Sequence, residues 1–260
     1  NDNMDNYLKT ITEETTTFSV SGLNGNANIP SFKQKTYGSL TYLDFSNSKI
    51  ISNSVFRYAM ALKSLTHLCL FNCGLFSIPQ ELYKPIHSLK TLDLSSNYIS
   101  TIPHEIQWDK IQGLNVSLNS FDGWPTNLNN SKMPNLEYLS ISNNKIKDNF
   151  GSISKGGCFS KLQYLDMSFC ELLILPKVFT QCRALTYFSL SGNMNLVLPD
   201  LDFFEDSTLL QFLNISGVSF GVSLNNLPEK AKFPPSIEVI VARQKTYEYI
   251  PKGNYTIIHD

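Results

Sequence analysis

Long hydrophobic runs are missing from this chain. No apolar stretch approaches the roughly 20 residues needed to cross a bilayer, so no membrane span is expected. The opening residues Asn1 to Asn6 are polar and acidic, and do not read as a secretion signal. Charge of one sign is missing too. With 21 Lys and Arg against 22 Asp and Glu, the net charge is −1, and the basic surface that holds nucleic acid is not expected. Histidine is scarce: His67, His87, His104 and His259 have no metal-ligand spacing, and no HExxH occurs. There is no CxxC pair to suggest zinc, no GxxxxGK[ST] phosphate loop and no dinucleotide fingerprint. No cofactor or metal is therefore expected. Cys69, Cys73, Cys158, Cys170 and Cys182 are an odd, scattered set. That is a poor disulfide framework, and buried free thiols in a reducing compartment are the expectation.

What the sequence does have is a repeat. Leu89 to Ile99 reads LxxLxLxxNxL, and the same frame starts again at Leu40, Leu65, Ile111, Leu136, Leu162, Leu185 and Leu210. Weaker copies start at Thr15, carried by Phe18 and Val20, and at Ile237, carried by Ile240 and Ala242. In the eight clear copies, positions one, four, six and eleven make 32 sites. All but Asn195 are Leu, Ile, Val, Phe or Met, in a chain that is 42% hydrophobic. In an extended xLxLx segment, positions four and six point one way and positions three and five the other. One turn cannot bury its leucines alone, but stacked turns bury them against each other. The prediction is an α/β solenoid, a curved horseshoe of about ten turns. A parallel sheet would line its concave side, with short helices, 3₁₀ turns and loops on the convex side.

Position nine lies where the chain leaves the strand. An Asn there can bond backbone groups that the bend leaves unpaired. It is Asn97, Asn119, Asn144 and Asn193 in four copies, Cys73 and Cys170 in two and Ser48 in another. Val218 cannot make those bonds, and a local irregularity is expected there. Beyond position eleven come Ile78-Pro79, Ile102-Pro103, Trp124-Pro125, Leu175-Pro176 and Leu198-Pro199. A Pro with fixed φ suits the first turn of a helix or an extended bend. Residues 54–64 read as a true helix. Residues 149–160, Gly- and Ser-rich without the Pro signature, read as a loose outer loop.

These frames with trailing Leu-Pro resemble the leucine-rich-repeat superfamily across residues 15 to about 244. The likeness is to the intracellular type of Ras-interacting and Scribble-like scaffolds and of arrays attached to signalling enzymes. The resemblance implies a module that binds a protein partner on its concave face. Extracellular members carry cysteine-clustered caps, and residues 1–14 and 245–260 contain no cysteine; this departure implies a cytoplasmic location. The chain is read as a single domain, expected to be a monomer. Residues 1–14 form an N-terminal cap and 15–244 the repeats, starting at 15, 40, 65, 89, 111, 136, 162, 185, 210 and 237. Residues 245–260 form a C-terminal cap or lead into a further domain.

Positions three and five are expected to face the groove. Position three gives Tyr42 and His67 in the first half and Tyr138, Tyr164, Tyr187 and Phe212 in four consecutive copies of the second. Strands stack about 4.8 Å apart, so these four predict one aromatic ridge. It either anchors a partner, as aromatics do at energetic hot spots, or stacks on itself to shield the sheet. Position five gives Asp44, Asp93 and Asp166, which would select basic groups on the partner. Phe71, in a column otherwise filled by serine, is the candidate second anchor beside His67.

Catalysis finds little support. Gly217-Val218-Ser219-Phe220-Gly221 matches GxSxG, but it lies across a repeat frame where Phe220 is a core position, and the only later histidine is His259. No enzymatic role is expected. Four glycosylation sequons, at Asn115, Asn129, Asn214 and Asn254, do not by themselves argue for secretion in so Asn- and Ser-rich a chain. An extracellular recognition domain is the alternative function.

Overall fold

The computed structural model describes residues 11–22, 38–49, 54–83, 88–151, 153, 157–221 and 230–260. It divides into two compact units, Asn1–Ser120 and Phe121–Asp260. In the first unit, β1 (Thr17–Ser19), β2 (Tyr42–Asp44), β3 (His67–Cys69), β4 (Thr91–Asp93) and β5 (Gly113–Asn115) pair in parallel in sequence order. The register matches frame to frame: Tyr42 faces His67, which faces Thr91, which faces Gly113. Leu43, Leu68, Leu92 and Leu114, at position four, are at most 2% exposed. The outer arc carries a helix, α1 (Ser54–Met60), shorter than the predicted 54–64, and a 3₁₀ turn (Gln80–Leu82) that starts directly after Pro79.

The second unit repeats the plan. It contains β6 (Tyr138–Ser140), β7 (Tyr164–Asp166), β8 (Tyr187–Ser189), β9 (Val197–Leu198), β10 (Phe212–Asn214), β11 (Ser219–Phe220), β12 (Val239–Ala242) and β13 (Thr256–His259). The order β6-β7-β8-β10-β12-β13 is parallel throughout. β13 belongs to the tail after residue 244, so this tail adds a strand beside the last repeat. A 3₁₀ turn (Lys177–Gln181) follows Pro176. Leu198-Pro199 differs: Leu198 sits in β9, which pairs with β11 in a small separate sheet. Ser219 of the GxSxG match is therefore a strand residue and not the tip of a strand-turn-helix elbow.

The stacked turns number about seven, fewer than the ten expected. The one polar exception in the spine has a simple cause. The chain slips by one residue, so Leu196 is fully buried and Asn195 is exposed.

The bend after each strand has a feature that composition hides. Position eight is left-handed in all eight clear frames: Asn47, Asn72, Ser96, Leu118, Asn143 and Phe169 have φ between 52° and 58°, and Gly192 and Gly217 lie at 74° and 87°. This conformation costs an ordinary residue roughly 1–2 kcal/mol, less for Asn and nothing steric for Gly. Leu118 bears that cost while 51% exposed. Leu118→Asn should therefore raise stability by about 1 kcal/mol, read as a later denaturant midpoint; an unchanged or earlier midpoint contradicts the strain assignment.

The position-nine asparagines close the bend from inside. Asn97 Nδ2 donates to Leu70 O and Leu94 O, both at 2.9 Å, while its Oδ1 accepts from Cys73 N and Leu75 N at 3.0 Å. One side chain thus ties its own turn to the preceding one. Cys73 and Cys170 fill the same place with a thiol that donates to Phe45 O and Ile141 O. Burial pushes both thiols up to about 12 from an ordinary 9.0. A raised folded-state value favours the native state fully below the unfolded value, and the gain is lost as pH climbs from about 9 toward 12. Stability should fall over that interval, and less steeply in Cys73→Ser/Cys170→Ser, since Ser48 already occupies this position buried. Equal slopes would show that the thiols carry none of the effect.

One cysteine expectation needs correction. Cys158 and Cys182 form a disulfide with Cα atoms 5.4 Å apart, so only Cys69, Cys73 and Cys170 are free. Neither a CxxC pair nor a cluster at the chain ends marks this bond in the sequence. In a solenoid, residues one repeat apart are neighbours, and these two are separated by 24 positions.

Candidate functional site: an aromatic ladder

Parallel pairing in exact frame register puts position-three side chains of successive strands side by side. In the second unit this stacks Tyr138 on Tyr164, Tyr164 on Tyr187 and Tyr187 on Phe212, with ring centroids 4.4, 4.2 and 4.6 Å apart. The planes are within 14° of parallel. Tyr138 is 39% exposed and the other three are half-buried. Beneath them Leu139, Leu165, Phe188 and Leu213 fill the interior. The ladder stops at β12, where Val239 takes the next place.

Stacking decides which parts of the rings remain available. The faces of Tyr164 and Tyr187 are covered on both sides, which removes them as cation-π platforms. The edges and hydroxyls remain. Burial, followed by the neighbouring Tyr187, raises the Tyr164 phenol above its ordinary range, so it stays a protonated donor.

The first unit carries a shorter version. Tyr42, 37% exposed, meets His67 at 6.2 Å with tilted rings. His67 Nδ1 lies 2.7 Å from Thr66 Oγ1. The run ends at once, because Thr91 and Gly113 follow in register. Phe71 is half-buried, and its carbonyl accepts from Asn47 N at 2.8 Å.

The acidic column behaves differently from a free row of carboxylates. Asp44 Oδ1 accepts from Ser46 N at 2.8 Å, and its Oδ2 from Ser19 Oγ. Asp93 Oδ1 accepts from Ser95 N at 2.8 Å, and its Oδ2 from the Cys69 thiol. Asp166 Oδ1 accepts from Ser168 N at 2.9 Å. Asn115 and Asn214 make the same bond to Ser117 N and Ser216 N. Position five therefore has a structural task in all five turns: its side-chain oxygen holds the amide two residues on, where the strand ends.

A second exposed surface escaped the sequence reading. Phe169, Leu173, Ile174, Met194 and Val197 are 43–56% exposed in the second unit. A Cβ on Gly192 would stand 2.3 Å from the Phe169 ring, and one on Gly217 would stand 2.6 Å from Met194 Sδ. These glycines thus serve both the left-handed bend and the side chain laid over it. The available signal was the pairing of a large residue at position eight or ten with a glycine one turn later. In the first unit, Phe76 stacks on Tyr98 at 5.0 Å, both exposed.

Among the described residues no cluster of His, Cys, Asp or Glu could hold a metal ion, and no helix is long and apolar enough to cross a membrane. Of the four sequons, Asn129 is buried, Asn115 and Asn214 are half-buried in the hydrogen bonds above, and Asn254 is exposed.

A model of the Leucine Rich Repeat family matches residues 88–108, 135–155 and 161–182. The chain is 31% identical over 91 residues to the mouse (Mus musculus) leucine-rich repeat and IQ domain-containing protein 4. That alignment covers 35% of this chain and 15% of the relative, so the chain spans a small part of that protein's length. Among solved structures, an internalin (inlF) from Listeria monocytogenes is similar over 96% of this chain and 80% of its own. Its TM-score is 0.57 at 18% identity, a likeness of fold alone.

Proposed function

Since the chain is a leucine-rich-repeat protein, we propose that it binds a protein partner on the sheet face of its second unit, with the Tyr138–Tyr164–Tyr187–Phe212 ladder as the anchor. Proteins of this superfamily generally act as protein-interaction modules. The observation that carries the reading is a stack of four aromatic rings on the sheet face, with Tyr138 39% exposed and Tyr164, Tyr187 and Phe212 half-buried. Rigid aromatics give large contact area at small entropic cost. Tyr42, His67 and Phe71 form a lesser contact in the first unit. Asp44 and Asp93 have both carboxylate oxygens engaged within the chain and serve the bend after the strand. The chain works as a monomeric, cytoplasmic scaffold or regulatory part of an intracellular signalling protein, and it performs no chemistry itself.

The test is a pull-down from the native source with wild type beside Tyr138→Ala/Tyr164→Ala/Tyr187→Ala. Partners retained by wild type and lost by the variant, while the variant keeps its far-ultraviolet spectrum, support the reading. An identical partner set refutes it.

A second reading, an extracellular recognition domain, is favoured by the Cys158–Cys182 disulfide, since such bonds persist in oxidising compartments. Peptide mapping of native material without reductant separates the two. A bridged peptide with a glycan on Asn254 supports the extracellular reading, and two free thiols support the cytoplasmic one.

A further inference from the structure

Three aspartates share position five, yet hydrogen-bond accounting sets one apart. Asp44 and Asp93 each have both oxygens engaged within the chain. Asp166 commits only Oδ1, and its Oδ2 has no hydrogen-bond or ion-pair partner among the described residues. Its surroundings differ as well. The register places Ser140 and Ser189 on either side of it. Both serines are buried and small, at 4% and 3% exposure, so the half-buried carboxylate rises from a low shelf. Tyr164, two residues earlier on the same strand, stands on the same face as the middle of the aromatic stack.

This gives a one-charge notch beside an apolar wall. A cationic side chain lying in it would set its charged head against Oδ2 and run its methylene stem along the ring edges, as long basic side chains do over apolar surface. Among the described residues no lysine or arginine forms an ion pair with Asp166.

We infer that Asp166 is the specificity-determining residue of the ladder face, accepting a single lysine or arginine from an extended segment of the protein partner. The inference rests on the ladder being the partner site. It narrows the acidic selectivity from three aspartates to one.

The chain itself supplies a substitution that leaves the fold intact. Asn115 and Asn214 make the same turn bond from the same frame position, so Asp166→Asn keeps the structural bond and removes only the charge. A random dodecapeptide phage library is panned on the full chain as wild type, Asp166→Asn, Asp93→Asn and Tyr164→Ala/Tyr187→Ala. Wild type and Asp93→Asn should enrich peptides carrying a Lys or Arg at a fixed place, and Asp166→Asn should lose that bias. A peptide selected on wild type should bind Asp166→Asn about tenfold more weakly and Asp93→Asn within about twofold. Equal basic enrichment on Asp166→Asn, or enrichment of acidic peptides on wild type, overturns the inference while leaving the ladder site standing. Peptides that bind Tyr164→Ala/Tyr187→Ala as well as wild type overturn the ladder site and this inference with it.

Discussion

Asn193→Ala should lower the stability of the chain by about 4 kcal/mol, a loss set by buried hydrogen bonds rather than by volume. Asn193 is fully buried. Its Oδ1 accepts from Cys170 N at 2.9 Å and Leu172 N at 3.1 Å, and its Nδ2 donates to Met167 O at 3.0 Å and Leu190 O at 2.8 Å. Alanine removes these four bonds and a longer fifth to Ser191 O, and leaves two amides and two carbonyls without partners where water cannot reach. Each buried orphan costs roughly 1–3 kcal/mol, and partial relaxation keeps the total below the sum. A whole domain is stable by only about 5–15 kcal/mol, so the variant should unfold at much lower denaturant. Asn193→Cys should recover part of the loss, because Cys73 and Cys170 already serve at this position with one donor each. An Asn193→Ala midpoint close to wild type would mean that these bonds do not hold consecutive turns together.

The second large effect concerns binding. Tyr164→Ala and Tyr187→Ala should each weaken partner affinity by about 2 kcal/mol, roughly thirtyfold in Kd. Both rings sit inside the stack, each covered on two sides at 4.2–4.6 Å. Their removal also breaks stacking worth about 0.5–1.5 kcal/mol per pair, so some stability is lost under either role of the ladder. The two roles separate in the pairing of measurements. If the stack only shields the sheet, the unfolding midpoint falls and the Kd stays within a few tenths of a kcal/mol. If it anchors a partner, both change. Tyr187→Phe keeps the stack and removes one hydroxyl, so it should leave stability nearly unchanged and report the hydroxyl's share of affinity alone.

Much of this architecture is legible in the residues because its physics is periodic. A leucine that must meet its counterpart one turn away recurs at the repeat length, which makes the spine, the strand positions and the outward Tyr138–Phe212 run readable together. What depends on local geometry is not. Position eight adopts one backbone conformation through Asn, Ser, Leu, Phe and Gly alike; the bend is imposed by the turn around it, and residue type follows only loosely. The slip at Asn195 obeys the same logic, since burying Leu196 outweighs keeping the count. Asp44 and Asp166 look equivalent in sequence. The bonds from Ser19 on the neighbouring strand and from the Ser46 hydroxyl, both made to Asp44 and lacking a counterpart at Asp166, tell them apart. The disulfide was hidden because its pairing follows the repeat and no local motif.

Hydroxyl-radical labelling of the tyrosines, read by mass spectrometry on the free chain and on the complex with its captured partner, tests the central claim most directly. The free chain should be oxidised at Tyr138, Tyr164 and Tyr187, with Tyr138 labelled most, and all three should be protected together in the complex. Tyrosines that resist oxidation in the free chain, or that label equally with the partner bound, would contradict a solvent-facing ladder that a partner covers.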